Sequence, residues 1–195
     1  MAAAEDKPAT LCSGDLQSVA RLDFRAGYCE VLTPMREPII PLQDAGKAVE
    51  SYRLFYLRSF DPAIVLRLEI QSDTDASLRA VELQTHTDRI RLARTAYLTP
   101  EQIAEFRALI AGQKFWTAPS EFHVRMGFGP FAAKLAETVV MSDGAQWVVE
   151  GMDAQRYHVM GDDGGAFDSP VREIGLAMLD MAGKKFPGLN VKPIY

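Results

Sequence analysis

Apolar and polar residues alternate along the first half of the chain, with the period of strands that bury one face. The clearest stretch is 64–71, in which Ile64, Leu66, Leu68 and Ile70 alternate with Val65, Arg67, Glu69 and Gln71. The alternation recurs at 81–84 and 89–92, and the aromatic-rich stretch Tyr52–Phe60 ends at a turn signal, Asp61-Pro62. Because the connections are short, the pattern predicts a four-stranded antiparallel meander.

The period changes to that of a helix after residue 99. Thr99 offers an N-cap hydroxyl, Pro100 suits the first helical position and Gln102 completes a capping box. Apolar residues then recur at helical spacing until Gly112, where the helix should end: Ile103, Phe106, Leu109 and Ile110. A second, C-terminal helix is predicted to begin at Ser169-Pro170 and to end at Gly183.

Further strands are predicted between the two helices. They are Thr138–Met141, a stretch that ends at Glu150, and Tyr157–Met160, with Gly151–Gln155 as the turn of a hairpin. Strand runs separated by isolated helices indicate an α+β fold with a mainly antiparallel sheet. Residues 1–48 are rich in Pro and Gly, so we expect a loop-rich N-terminal segment within a single domain spanning residues 1–195.

Composition and charge narrow the class of partner. The chain has 195 residues, a hydrophobic content of 48% and a formal net charge of −5. An acidic balance disfavours a surface that binds nucleic acid through its phosphates. No apolar run approaches the length that spans a bilayer, so we expect no membrane span. We therefore expect neither nucleic acid nor a membrane as a partner.

The N-terminal segment gives two indications of the cellular location of the protein. The start, Met1–Pro8, has no apolar core of a signal peptide, and its small and polar residues are typical of an exported chain after processing, or of an ordinary frayed terminus. Cys12 and Cys29 could close a disulfide or remain two separate thiols. We hypothesise a disulfide and a periplasmic or otherwise extracytoplasmic location.

No recognised catalytic or metal motif occurs in the sequence. The three histidines His86, His123 and His158 lack metal-ligand spacing, and the acidic loop 161–168 lacks the spacing of a calcium loop. We expect no metal, no cofactor and no enzymatic activity. The alternative is a hydrolase-type enzyme in which Glu150 and His158 act as an acid–base pair across the predicted hairpin. A small-ligand-binding envelope protein is a further alternative.

Two surfaces are candidates for binding a protein. The first is the polar face of the meander, which carries Arg67, Arg79, Arg89 and Arg91, and alternation should make several of these project together. Arginine suits bidentate contacts with the carboxylates of an acidic partner. A solvated face with cross-strand ion pairs is its plain alternative. The second is the loop 122–131, in which Phe128 and Phe131 either pack into the core or form an exposed apolar patch.

Structural signatures in residues 98–183 suggest a family. They are Leu98-Thr99-Pro100 before a helix, Phe115-Trp116, Asp143-Gly144 with Trp147, Glu150-Gly151, and Tyr157-His158 followed by a proline-started helix. In these features the chain resembles small exported bacterial α+β proteins of uncharacterised families. The resemblance implies a fold and a bacterial origin, and no activity. The loop 161–167 departs from the family pattern, which has a basic, Trp-containing stretch there.

These observations together predict a non-enzymatic protein of a bacterial envelope that binds another protein. The most concrete form of this prediction is an immunity or inhibitor protein that neutralises a secreted toxin. It depends on the size of the chain, its acidic balance and its candidate binding surfaces.

Overall fold

The four strands predicted between residues 50 and 97 pair in chain order as an antiparallel meander. They are β1 (Glu50–Arg58), β2 (Ile64–Ile70), β3 (Ala76–Leu83) and β4 (Ile90–Tyr97). The computed structural model describes residues 32–37, 50–58, 60–84, 87, 89–118, 122–123, 145–154, 156–162 and 169–192. The prediction of a four-stranded meander is confirmed.

The meander contributes four of the seven strands that the structure describes in one sheet. The later strands are β5 (Phe122–His123), β6 (Ala145–Asp153) and β7 (Tyr157–Asp162), and the order across the sheet is β4-β3-β2-β1-β6-β7-β5. β1 is therefore a central strand that pairs antiparallel with both β2 and β6. β5 pairs with β7 in parallel, whereas the other six strands are antiparallel. With two helices added, the fold is α+β with a mainly antiparallel sheet.

The two helices begin where the sequence predicts. Helix α1 (Pro100–Gly112) has a complete capping box between Thr99 and Gln102, and it ends at the predicted glycine. Helix α2 (Pro170–Lys185) begins after Ser169, whose hydroxyl accepts a hydrogen bond from the backbone N–H of Arg172. The predicted end at Gly183 is wrong by two residues, because the chain stays helical to Lys185.

Both helices pack on the same face of the sheet, which we call the helix face. Trp147 is fully buried there, and α2 passes close above it at Gly175. A Cβ atom at Gly175 would lie 2.6 Å from Cε3 of Trp147, so only glycine allows this approach. The main core consists of apolar side chains of the sheet and both helices, among them Leu54, Leu66, Leu78, Val149, Phe106, Ile174 and Met178.

The hairpin between β6 and β7 differs from the prediction. Gly151 and Asp153 belong to β6, and the chain turns after Asp153, whose N–H donates to the carbonyl of Arg156 at 2.9 Å. The predicted turn Gly151–Gln155 is therefore wrong, because Gly151 continues the pairing of β6 with both neighbours. The predicted strand Thr138–Met141 lies outside the described residues. Of the N-terminal segment, residues 32–37 are described, and 32–35 form a helical turn.

Candidate functional site

A row of charged residues crosses the sheet face opposite the helix face. Register places Arg79 of β3 beside Arg67 of β2, Arg67 beside Arg53 of β1, and Arg53 beside Glu150 of β6. We call these four residues the charged row. Three neighbouring arginines would repel one another, and like charges directly opposite on a sheet are destabilising. The row therefore needs carboxylates besides Glu150 to balance its charge.

At the centre of the sheet, Arg53 is paired with Glu150. The Nε atom of Arg53 donates to Oε2 of Glu150 at 2.7 Å, and the side chains are 0% and 1% exposed. The hydroxyl of Tyr157 donates to the other carboxylate oxygen, Oε1, at 2.5 Å. A buried ion pair offsets the cost of its desolvation only when its remaining polar atoms are also hydrogen-bonded. Glu150 meets that condition on both oxygens.

Glu37 compensates the outer part of the charged row. Its Oε2 accepts from Nε of Arg67 at 3.0 Å, its Oε1 accepts from Nε of Arg79 at 2.8 Å, and its side chain is fully buried. Arg67 also pairs with Glu69. The helical turn that carries Glu37 is anchored by Leu32 and Met35, which join a second apolar cluster with Phe55, Val65, Val81 and Val148. The chain itself therefore neutralises Arg67 and Arg79.

Arg91 does not share the face of Arg67 and Arg79. The pairing of β3 with β4 shifts register between Glu82 and Leu83, and at this irregularity the guanidinium of Arg91 pairs with the buried Glu82. It also donates to the carbonyl of Gly188, beyond α2, at 2.6 Å. Of the four arginines named from the sequence, Arg67 and Arg79 lie side by side on one face, whereas the register shift redirects Arg91 away from them.

The exposed arginines of the meander lie along its last strand instead. Arg89 and Arg94 are exposed, and the same stretch carries Ile90 and Tyr97, which are 37% and 74% exposed. Among the described residues, no strand pairs with the outer side of β4. We call the stretch 89–97 the β4 edge. It contains three arginines and no acidic residue.

Glu150 and His158 are not brought together. Glu150 pairs with Val159, whereas His158 pairs with Gly151, so the two side chains point to opposite faces of the sheet. Above Gly151 the ring of Phe115 lies edge-on to the imidazole of His158, with 5.0 Å between ring centroids. Burial lowers the pKa of His158. The alternative of an acid–base pair formed by these two residues is not supported by this register.

The other predicted site residues lie outside the part of the chain that the structure describes. They are Phe128, Phe131, Cys12 and Cys29. Within the described residues, no three His, Cys, Asp or Glu side chains are arranged to hold a metal ion. In the same residues, no helix is both long and apolar enough to cross a membrane.

Sequence reasoning missed four residues that define the site. Arg53 gives a direct signal, since it is a charge within the otherwise aromatic and apolar stretch 52–57. Glu37 could not be found, because its partners are on strands about thirty and forty residues away. Arg94 and Tyr97 fall just beyond the stretch 89–92 in which alternation is clearest.

Comparison with protein families finds no family that matches this chain, and comparison with curated proteins finds no match either. The class of the protein is therefore described by its fold and its charges: an α+β protein with one sheet face covered by helices, a charged row on the other face, and a basic strand at one edge.

Proposed function

We propose that this protein is a non-enzymatic binding protein of a bacterial envelope that recognises another protein. Its concrete role would be that of an immunity or inhibitor protein that neutralises a secreted toxin. The observation that carries the proposal is the β4 edge, where Arg89 and Arg94 are exposed beside Tyr97 with no acidic residue between positions 89 and 97.

The residue types at the β4 edge are those that dominate protein interfaces. Arginine and tyrosine are enriched among the residues whose truncation costs most binding free energy. Tyr97 is 74% exposed, which is unusual for an aromatic ring in a strand. These side chains could bury a large area on a partner while Arg89 and Arg94 bind its carboxylates.

The binding surface we propose differs from the one predicted from sequence. Arg67 and Arg79 are held by the buried carboxylate of Glu37, so a partner would have to displace that residue to reach them. Arg91 is 42% exposed but already pairs with Glu82. Arg89 and Arg94 therefore replace Arg67 and Arg79 as the proposed contacts.

The acid–base alternative is weakened by the positions of its two residues. Glu150 is bound by Arg53 and Tyr157 on one face of the sheet, and His158 packs against Phe115 on the other. A general acid and a general base must both reach one substrate. Two groups separated by a sheet do not meet this requirement, which favours binding over hydrolysis.

The proposal is tested by isolating partners of the tagged full-length chain from its native host. The wild type is compared with the double variant Arg89→Glu/Arg94→Glu and with Lys114→Glu. Lys114 is exposed and follows α1. Its neighbour Phe115 packs against β6 and β7, which lie away from β4 in the strand order. We expect one stoichiometric protein with the wild type and Lys114→Glu, and its loss with the double variant.

The role as an immunity protein needs a second measurement. Expression of the captured partner alone should arrest growth, and co-expression of the wild type should restore it. A partner retained equally by the double variant would remove the β4 edge from the proposal. A harmless partner would leave a binding protein but exclude toxin neutralisation. The envelope location requires the chain to fractionate with the periplasm, and Cys12 and Cys29 to resist alkylation until they are reduced.

A further inference from the structure

The outer side of β4 presents backbone hydrogen-bonding groups that have no partner strand in the part of the chain that the structure describes. The N–H of Leu98 donates to the carbonyl of Ala76 at 3.0 Å, which fixes the phase of the ladder between β3 and β4. In an antiparallel pair the residues alternate between pointing these groups towards the partner strand and away from it. The N–H and C=O groups of Ala93 and Thr95 therefore point away from β3, towards solvent.

The next outward-facing carbonyl along β4 already accepts a hydrogen bond. Tyr97 is two residues beyond Thr95, and its carbonyl accepts from Nζ of Lys185 in α2 at 3.0 Å. This contact agrees with the alternation assigned above. If the carbonyl of Tyr97 pointed towards β3, Lys185 could not reach it from outside the sheet. The groups of Ala93 and Thr95 have no such partner among the described residues.

The arginines of the β4 edge disfavour pairing with a second copy of β4 and favour pairing with an acidic segment. Two copies of β4 paired with each other would bring only arginines together, because no carboxylate lies between residues 89 and 97. Charged edge strands are a known means of preventing such self-association. An extended segment that carries carboxylates would meet Arg89 and Arg94 with opposite charge.

We propose that the β4 edge accepts an acidic, extended segment of the partner protein as an added strand of the sheet. This inference rests on the proposed function and specifies how the partner is bound. Backbone hydrogen bonds to Ala93 and Thr95 hold the segment, and Arg89 and Arg94 select its carboxylates. Tyr97 is exposed on the face opposite Arg94 and covers the side chains that the segment presents there.

The experiment is a titration of the ¹⁵N-labelled full chain with a synthetic nine-residue peptide in which Glu alternates with Val and Thr. We expect the amide signals of Ala93 and Thr95 to shift most, and the affinity to weaken with added salt because the charges are solvent-exposed. A second peptide has the same sequence but N-methylated backbone amides. It keeps every carboxylate but loses the N–H groups that would donate to the carbonyls of β4, so its binding should be about tenfold weaker or more.

Variants of the protein test whether the peptide binds through the backbone of β4. Ala93→Pro removes an outward N–H and no bond to β3, so the fold should persist while peptide binding is lost. Ala93→Thr keeps that N–H and should bind as the wild type does. Arg94→Glu should weaken binding about tenfold or more, and Lys114→Glu should not change it.

Two results would overturn the inference. Equal binding of the N-methylated peptide would show attraction by charge without strand addition. No shift at millimolar concentrations of the acidic peptide would leave the arginines as guards against self-association only. Neither result depends on the proposed function, because a native partner could still be captured. Loss of that partner in Ala93→Pro would support both proposals, and its retention would exclude strand addition alone.

Discussion

Arg53 and Glu150 form an ion pair at the centre of the sheet, although 97 positions separate them in the chain. The pair exists because β1 lies between β2 and β6, so that Arg53 has Arg67 on one side and Glu150 on the other. Neither side chain reaches solvent. The stability of the sheet therefore depends on a charge balance in its interior.

Glu150→Gln should destabilise the fold strongly, because it removes the carboxylate that pairs with the buried guanidinium of Arg53. The expected loss in free energy of unfolding is about 3–5 kcal/mol. Arg53→Met/Glu150→Leu should lose less than Glu150→Gln alone, since it removes both charges. Urea denaturation measures both. A double variant that is less stable than Glu150→Gln would contradict this account of the ion pair.

Glu37→Gln should loosen the helical turn at residues 32–35, since one buried carboxylate holds both Arg67 and Arg79. We expect a loss of about 2–3 kcal/mol, together with faster hydrogen exchange of the amides in 32–37. Glu69→Gln is the matched control. Glu69 contacts Arg67 from a partly exposed position, and surface pairs contribute less than about 1 kcal/mol. Equal effects of the two changes would contradict a special role for Glu37.

Gly175→Ala should destabilise the protein, although alanine is the better helix former. The new Cβ would lie 2.6 Å from Cε3 of Trp147, and that ring is too well packed to move. Overpacking of this kind costs about 1–3 kcal/mol. Gly112→Ala in α1 meets no atom within 4 Å and should stabilise by about 0.5–1 kcal/mol. Thermal denaturation of the two variants should therefore shift in opposite directions.

Stability should fall as the pH decreases through the ordinary pKa of histidine. Burial lowers the pKa of His158 below its usual value of 6.5, so the unfolded chain binds the proton more readily than the folded chain. The free energy of unfolding therefore falls as the pH drops below 6.5, and it stops falling once the pH is below the pKa of His158 in the folded state. His158→Gln should show a smaller decrease between about pH 7.5 and pH 5. An unchanged slope in that variant would assign the effect to other groups.

The elements of this fold that depend on neighbouring residues could be predicted from the sequence. The meander could be predicted because apolar and polar residues alternate along its strands and its loops are short. Both helix starts could be predicted because their capping residues lie next to them in the sequence. Thr99 with Gln102, and Ser169 with Pro170, act within one turn of chain. Local signals of this kind do not depend on how the sheet is assembled.

The site could not be predicted because it depends on register. A shift of one residue moves a side chain to the other face, and the true end of β6 lies three residues beyond the predicted one. That difference separates Glu150 from His158. In the same way, the irregularity opposite Glu82 redirects Arg91 away from Arg67. No pattern within a single strand indicates which side of β1 will receive β6.

The central position of β1 has a consequence for the order in which the chain folds. Its pairing with β2 closes the loop 59–63, whereas its pairing with β6 closes residues 59–144, a difference of about four doublings and about 2.5 kcal/mol of closure entropy for a flexible chain. We therefore expect amides of β2 and β3 to gain protection before those of β6 in pulsed hydrogen exchange. Until β6 pairs with it, β1 is a temporary edge of the sheet, and the charge of Arg53, not yet met by Glu150, would oppose pairing with a wrong strand.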